Sequence, residues 1–188
     1  DIDVIGDGKL SIINDAELPA IIYNTFKNLG FDDFTICINN RKILNGLFSS
    51  LELKENSAQI LRIIDKIDKI GSEKVRQELL KEADEEKVAV IMQFLSIDGE
   101  NDSKLKQLEQ MNINDEIFIE GLTELKTVTK FIETFGVPKE NFKIDLTIAR
   151  GLDYYTGTVY ETFLNKYRNL GSVCSGGRYD TLTEYYTD

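Results

Sequence analysis

The sequence predicts an α+β fold, an antiparallel sheet with flanking helices interrupted by a small all-helical insertion. Three observations carry this. Strand-like segments stand near both ends of the chain, a charged stretch of helical period separates them, and strand patterning resumes after it. A sheet that is interrupted and then resumed indicates an insertion, not two domains in tandem. Short turns between the flanking strands favour antiparallel over parallel pairing. The division that follows is residues 1–45 for the first part of the sheet domain, 46–141 for the helical insertion and 142–188 for the second part.

Taken in order, Asp1–Gly6 (DIDVIG) alternates acidic and apolar residues and reads as a half-buried strand. Gly6, Asp7 and Gly8 form a turn signal, and Lys9–Ile13 reads as a second short strand. Asn14 or Asp15 is the N-cap candidate of a helix with Glu17 in its first turn. Its apolar face is Leu18, Ile21, Ile22, Phe26 and Leu29, and Gly30 ends it. Phe34–Ile38 (FTICI) reads as a buried strand closed by Asn39 and Asn40, after which RKILNGLF opens a helix.

The inserted stretch carries three helical stripes. They are Ile60, Ile63, Ile64, Ile67 and Ile70, then Val88, Ile91, Met92 and Leu95, then Leu122, Leu125, Val128, Ile132 and Phe135. Each reads as core. Gly136, Val137 and Pro138 stop the last helix. Beyond Phe142, strands are expected at Lys143–Leu146, Gly157–Phe163 and Gly171–Cys174.

Composition narrows the function classes. The 188 residues carry a net charge of −11, which argues against broad electrostatic binding of nucleic acid by this chain alone. Two cysteines and no histidine exclude a disulfide framework and any Ser-His-Asp or Cys-His nucleophile set, and weigh against a zinc site. A reduced, cytoplasmic compartment fits. No apolar run approaches the roughly 20 residues of a membrane helix, and no signal peptide is visible. Neither a phosphate-binding Walker loop nor a dinucleotide fingerprint is present. Both ends read as cut from something longer.

Two segments carry unusual chemistry. In Ala149–Phe163 (ARGLDYYTGTVYETF), Arg150, Asp153, Tyr154 and Tyr155 stand together between Gly151 and Gly157. This is either an exposed turn leading to an edge strand or the floor of a pocket. In the second case the arginine could grip a carboxylate or phosphate bidentately, and the tyrosines would supply a flat wall with hydroxyls at its rim. In Cys174–Leu182 (CSGGRYDTL), Gly176 and Gly177 permit close approach of backbone to a ligand, and Arg178, Tyr179 and Asp180 follow. A lone Gly-Gly is a weak signal. Two clusters of this kind within one short stretch are a stronger one.

RGLDYYTGTVYE closely resembles the first histidine-binding motif of the histidyl-tRNA synthetases, and SGGRYD resembles the second. DIDVIG and the later INNRKIL resemble the family segment after class II motif 2. The resemblance implies a partial class II synthetase sheet, and an enzyme that activates histidine with ATP to histidyl-adenylate and transfers it to its tRNA. It places Arg150 at the α-phosphate and the histidine carboxylate, where a fixed positive charge stabilises charge developing at phosphorus. It places Leu152, Tyr154 and Tyr155 in the histidine pocket, with Tyr155 the better candidate for an imidazole contact, and has Tyr179 close that pocket. Asp3 falls on an acidic position near the substrate α-amino group; the alternative for it is a solvated strand face. Gly176 and Gly177 would let the strand pass close to the ligand.

The resemblance also implies Mg2+ with ATP, for which no ligands are identified in this chain, a homodimer, and a tRNA-clamping role for the insertion. A solvated helical face is the simpler reading of that insertion. Motifs 1, 2 and 3 and the anticodon-binding domain are not in these residues, so the expectation is no adenylation by this chain alone. Two competing readings are a paralogue of the ATP phosphoribosyltransferase regulatory subunit, which shares the fold without charging tRNA, and a non-catalytic binding module.

Overall fold

The computed structural model describes residues 1–148 and 155–181. Asn14–Asn28 form α1, Phe34–Asn40 form β1 and Arg41–Ser50 form α2. Helices α3 (Ser57–Ile64), α4 (Ile67–Ile70), α5 (Ser72–Leu79), α6 (Glu85–Leu95), α7 (Asn101–Gln110) and α8 (Glu116–Thr134) follow. The chain then returns to the sheet as β2 (Phe142–Ile144), β3 (Thr158–Leu164) and β4 (Cys174–Gly177).

The sheet runs in the order β2-β1-β3-β4. Strand β3 pairs antiparallel with both β1 and β4, as expected, but β2 lies parallel to β1. The reason is topological. Antiparallel neighbours can be joined by a tight turn, whereas a parallel return needs a long crossover, and here the helices between β1 and β2 form that crossover. The two strands expected within Asp1–Ile13 are not formed. An alternating pattern makes a segment competent to pair, but only inter-strand hydrogen bonds make it a strand. This segment joins neither edge of the described sheet.

Helix α1 begins one residue beyond Ile13, carries Asp15 and Glu17 in its first turn, and is stopped by Gly30 in the left-handed region (φ +84°). No side chain caps its start, so neither Asn14 nor Asp15 is the cap. Its deepest residues are Ala16, Pro19 and Ala20, with Ile21, Ile22 and Phe26 half-buried and Leu29 left exposed. The cap of α2 is Asn40, whose side chain accepts from the Lys42 N–H at 2.9 Å. Its amide also donates to Glu124 on α8 at 2.7 Å, and Lys42 donates to the other Glu124 oxygen at 2.6 Å. Asp115 caps α8 by accepting from Ile117 and Phe118.

These contacts fasten the helices to one face of the sheet. Phe34, Ile36 and Ile38 of β1, Ile144 of β2 and Tyr160 of β3 point to that face and join a single buried cluster with Ile43, Leu47, Ile60, Ile64, Val88, Ile91, Leu125, Val128 and Ile132. The three stripes therefore bury most of their length, with Phe135 the exposed exception. Strand alternation sends Cys37 and Val159 the other way, where they form a small second cluster with Ile148, flanked by Tyr155 and Phe163. Among the described residues, no helix is long and apolar enough to cross a membrane.

Candidate functional site

The sheet face away from the helices is where the two glycine-rich segments meet. Thr156–Thr158 lies beside Gly177–Arg178: the Arg178 N–H donates to the Thr158 carbonyl and the Thr156 N–H to the Arg178 carbonyl, both at 2.8 Å. This ladder sets the Tyr155 ring beside that of Tyr179, with centroids 6.3 Å apart and planes tilted by 39°. The Tyr179 hydroxyl donates to an Asp3 carboxylate oxygen at 3.0 Å. Three of the expected site residues, far apart in sequence, thus converge: an aromatic pair with a carboxylate at its edge.

The glycines of the second segment have different roles. A Cβ on Gly177 would stand 2.8 Å from the Tyr155 ring and 2.9 Å from the Thr158 carbonyl, so glycine is what allows this strand to pass under the tyrosine. A Cβ on Gly176 would meet only the Tyr160 ring, at an ordinary 3.7 Å. The protein itself does not demand glycine there.

Behind this face lies a polar anchor not anticipated from the sequence. Arg178 sends its guanidinium in three directions: to Asp15 at 2.8 Å, to Asp180 at 2.8 Å and to the Leu10 carbonyl at 2.7 Å. The other Asp15 carboxylate oxygen accepts from the Thr158 hydroxyl at 2.7 Å. The Asp15 carbonyl accepts from the Tyr160 hydroxyl. It is available because Pro19, four residues on in α1, has no N–H to give it. Burial pushes the Asp15 carboxyl up from its ordinary range, and the Thr158 hydroxyl and Arg178 oppose that. Burial works against the Arg178 charge too, but Asp15 and Asp180 outweigh it and hold the guanidinium protonated. Asp15 gave no local signal for this role, since its partners lie more than 140 residues away.

Arg150, Leu152 and Tyr154 lie outside the described residues, so their place in the site rests on sequence. The segment leading to them is tied down. Asn39 donates to the Leu146 and Ile148 carbonyls, and Asp145 accepts from the Thr147 hydroxyl at 2.6 Å. Among the described residues, no group of three or more carboxylates or thiols could hold a metal ion.

The chain matches a known family along nearly its whole length. A sequence model described as Histidyl-tRNA synthetase matches residues 3–188. The chain belongs to the histidyl-tRNA synthetase family. A protein named Histidine--tRNA ligase from Clostridium tetani is 56% identical over 189 residues, covering 100% of this chain and 43% of the relative. The crystal structure of histidyl-tRNA synthetase from Nostoc sp. PCC 7120 superposes with a TM-score of 0.91 at 46% identity, covering 96% of this chain and 43% of that one. The chain therefore spans less than half the length of the synthetases it matches. A Bacillus halodurans structure titled as an ATP phosphoribosyltransferase regulatory subunit/histidyl-tRNA synthetase superposes less closely, with a TM-score of 0.79 at 26% identity and 98% of this chain covered. The regulatory-subunit reading is the weaker of the two.

Proposed function

We propose that this chain supplies the histidine pocket of a histidine--tRNA ligase. The observation that carries the reading is the meeting of Tyr155, Tyr179 and Asp3 on the open face of the sheet. An α-ammonium group placed there would donate a charge-assisted hydrogen bond to the Asp3 carboxylate. The tilted tyrosine rings offer a wall suited to an imidazole, with hydroxyls at hand. Tyr154 and Leu152 would complete the wall. Arg150 would reach the histidine carboxylate and the α-phosphate of ATP, its charge stabilising the pentavalent phosphorus as the carboxylate attacks and the α–β phosphoanhydride bond breaks to release pyrophosphate. Gly177 keeps the strand beside the ligand free of a side chain, whereas a side chain at Gly176 would face Tyr160 on the helical side.

In this reading the complete enzyme takes L-histidine, ATP and histidine tRNA, works as a cytoplasmic homodimer, and binds Mg2+ together with ATP. The described residues offer no ligand set for that ion. Residues 46–141 form the helical insertion. They hold 20 acidic against 13 basic side chains, a balance that disfavours broad attraction to phosphate.

Calorimetric titration of the chain with L-histidine, beside L-glutamine and an Arg150→Ala variant, tests the pocket. Histidine binding that glutamine does not reproduce and that the variant weakens is the expected result. Equal heats for both amino acids would overturn the assignment. The chain alone is expected to lack adenylation activity, and histidine-dependent ATP–pyrophosphate exchange above background would refute that part.

A further inference from the structure

We propose that Arg178 and Asp15 are positioning residues for the amino-acid pocket: their ion pair holds Tyr179 against Asp3 and Tyr155. The inference rests on the histidine-pocket reading and extends it to two residues that touch no substrate.

Arg178 immediately precedes Tyr179 in the chain, and the two side chains go opposite ways. Tyr179 meets Tyr155 and Asp3 on the open face, while Arg178 reaches Asp15 on α1, on the helical side. Backbone bonds alone leave a strand end free to twist about its axis, and such a twist would swing Tyr179 out of the pocket. Here the twist is blocked from behind. The guanidinium is bonded to Asp15, Asp180 and the Leu10 carbonyl at once, and a planar fork with three fixed acceptors has one orientation. Its side chain is 12% exposed and that of Asp15 is 4% exposed, so water offers little competition.

Asp15 is itself fixed by Thr158 through its side chain and by Tyr160 through its carbonyl. The Arg178 stem lies across Gly157, where an added Cβ would stand 3.0 Å from Arg178 Cδ. The same guanidinium also holds the Leu10 carbonyl, seven residues after Asp3. Stability alone is a poor account of a buried ion pair, because the desolvation of two charges offsets most of their attraction. A register device that sets one tyrosine is the better account.

The test uses a full-length ligase carrying residues 1–188, assayed by histidine-dependent ATP–pyrophosphate exchange. Arg178→Lys keeps the charge and loses the fork. Thr158→Val removes one brace from Asp15 without stripping a charge. Each is expected to raise the KM for histidine, by about 10- to 100-fold for Arg178→Lys and less for Thr158→Val, with the KM for ATP within about two-fold of the parent. Millimolar ethylguanidinium should restore part of the histidine KM in Arg178→Ala. Arg178→Lys with unchanged histidine KM, or with kcat and both KM values degraded together alongside a collapsed melting temperature, would overturn the positioning role. Tyr179→Phe and Asp3→Asn keep the two readings apart. If neither alters the histidine KM, the pocket reading itself fails. If both raise it while Arg178→Lys does not, only the positioning proposal fails.

Discussion

Gly46→Ala puts a methyl group into a close helix crossing. A Cβ on Gly46 of α2 would lie 2.3 Å from the Phe118 backbone nitrogen and 2.6 Å from its Cα and Cβ, at the start of α8. Reciprocally, a Cβ on Gly121 of α8 would lie 2.7 Å from Lys42 Cβ and 2.8 Å from the Ile43 nitrogen. Carbon atoms in ordinary contact sit about 3.5–4.0 Å apart, so the methyl must force the helices apart by roughly 1 Å. Phe118 cannot swing aside, because the clashing atoms are its backbone and Cβ. Alanine gains about 1 kcal/mol over glycine in a helix interior. Overpacking a tight core costs about 1–3 kcal/mol, and this site falls at the upper end because both helix starts are fixed by caps. The net expectation is a loss of about 2 kcal/mol, or about 4–8 °C in Tm for a chain of this size.

Urea unfolding followed by far-UV circular dichroism measures this. Asn45→Ala, at an exposed position on the same helix, is the control and should be neutral or slightly stabilising. Gly46→Ala combined with Gly121→Ala should cost less than the sum of the two, since one separation relieves both clashes. A Gly46→Ala chain as stable as the parent would refute the close crossing.

The remaining predictions concern single groups. Burial, with a contribution from Asp145, pushes the Cys37 thiol up to about 12, so iodoacetamide at pH 8 should leave it unmodified until urea is added; mass spectrometry showing full labelling of the native chain would contradict this. Asp145 sits below its ordinary range because the Thr147 hydroxyl, Lys143 and the Thr147 N–H together outweigh its burial. A carboxyl lowered on folding stabilises above its unfolded value of 3.8 and loses that effect as the pH falls through its folded value. Asp145→Asn should therefore cost about 1 kcal/mol at pH 7 and progressively less below about pH 4; a cost independent of pH would reject the electrostatic cause. Asn101 of α7 accepts from the Ile144 N–H at 2.7 Å and so covers the edge of β2. Asn101→Ala should destabilise by about 1–2 kcal/mol and promote self-association, visible by sedimentation; a monomer of unchanged stability would show that the edge needs no cover.

The elements legible in the sequence are those whose signal is local. The helical stripes around Ile60, Val88 and Leu125 mark faces that must be buried, whatever buries them. The left-handed glycines at 30 and 136 stop α1 and α8 because other residues resist that conformation. FTICI and TVYETF pair as β1 and β3 in full register. The two glycine-rich segments stood out as well, because Tyr155 and Tyr179 stand within short strings whose residue order is distinctive.

Other features were decided only when distant parts of the chain met. Parallel pairing of β2 with β1 follows from the long helical crossover, and the alternation at Phe142–Ile144 is the same for either direction. Asp1–Ile13 has a strand's pattern without a strand's partner. Nothing near Asp15 or Gly46 announces Arg178 or Phe118. A buried carboxylate and a clash-free glycine are properties of a pair, and the second member is brought alongside only when the chain between them has folded. Side-chain period and turn chemistry act over a few residues and so can be read from sequence order, whereas strand direction, ion pairing and close approach are set by closing loops of more than 70 residues.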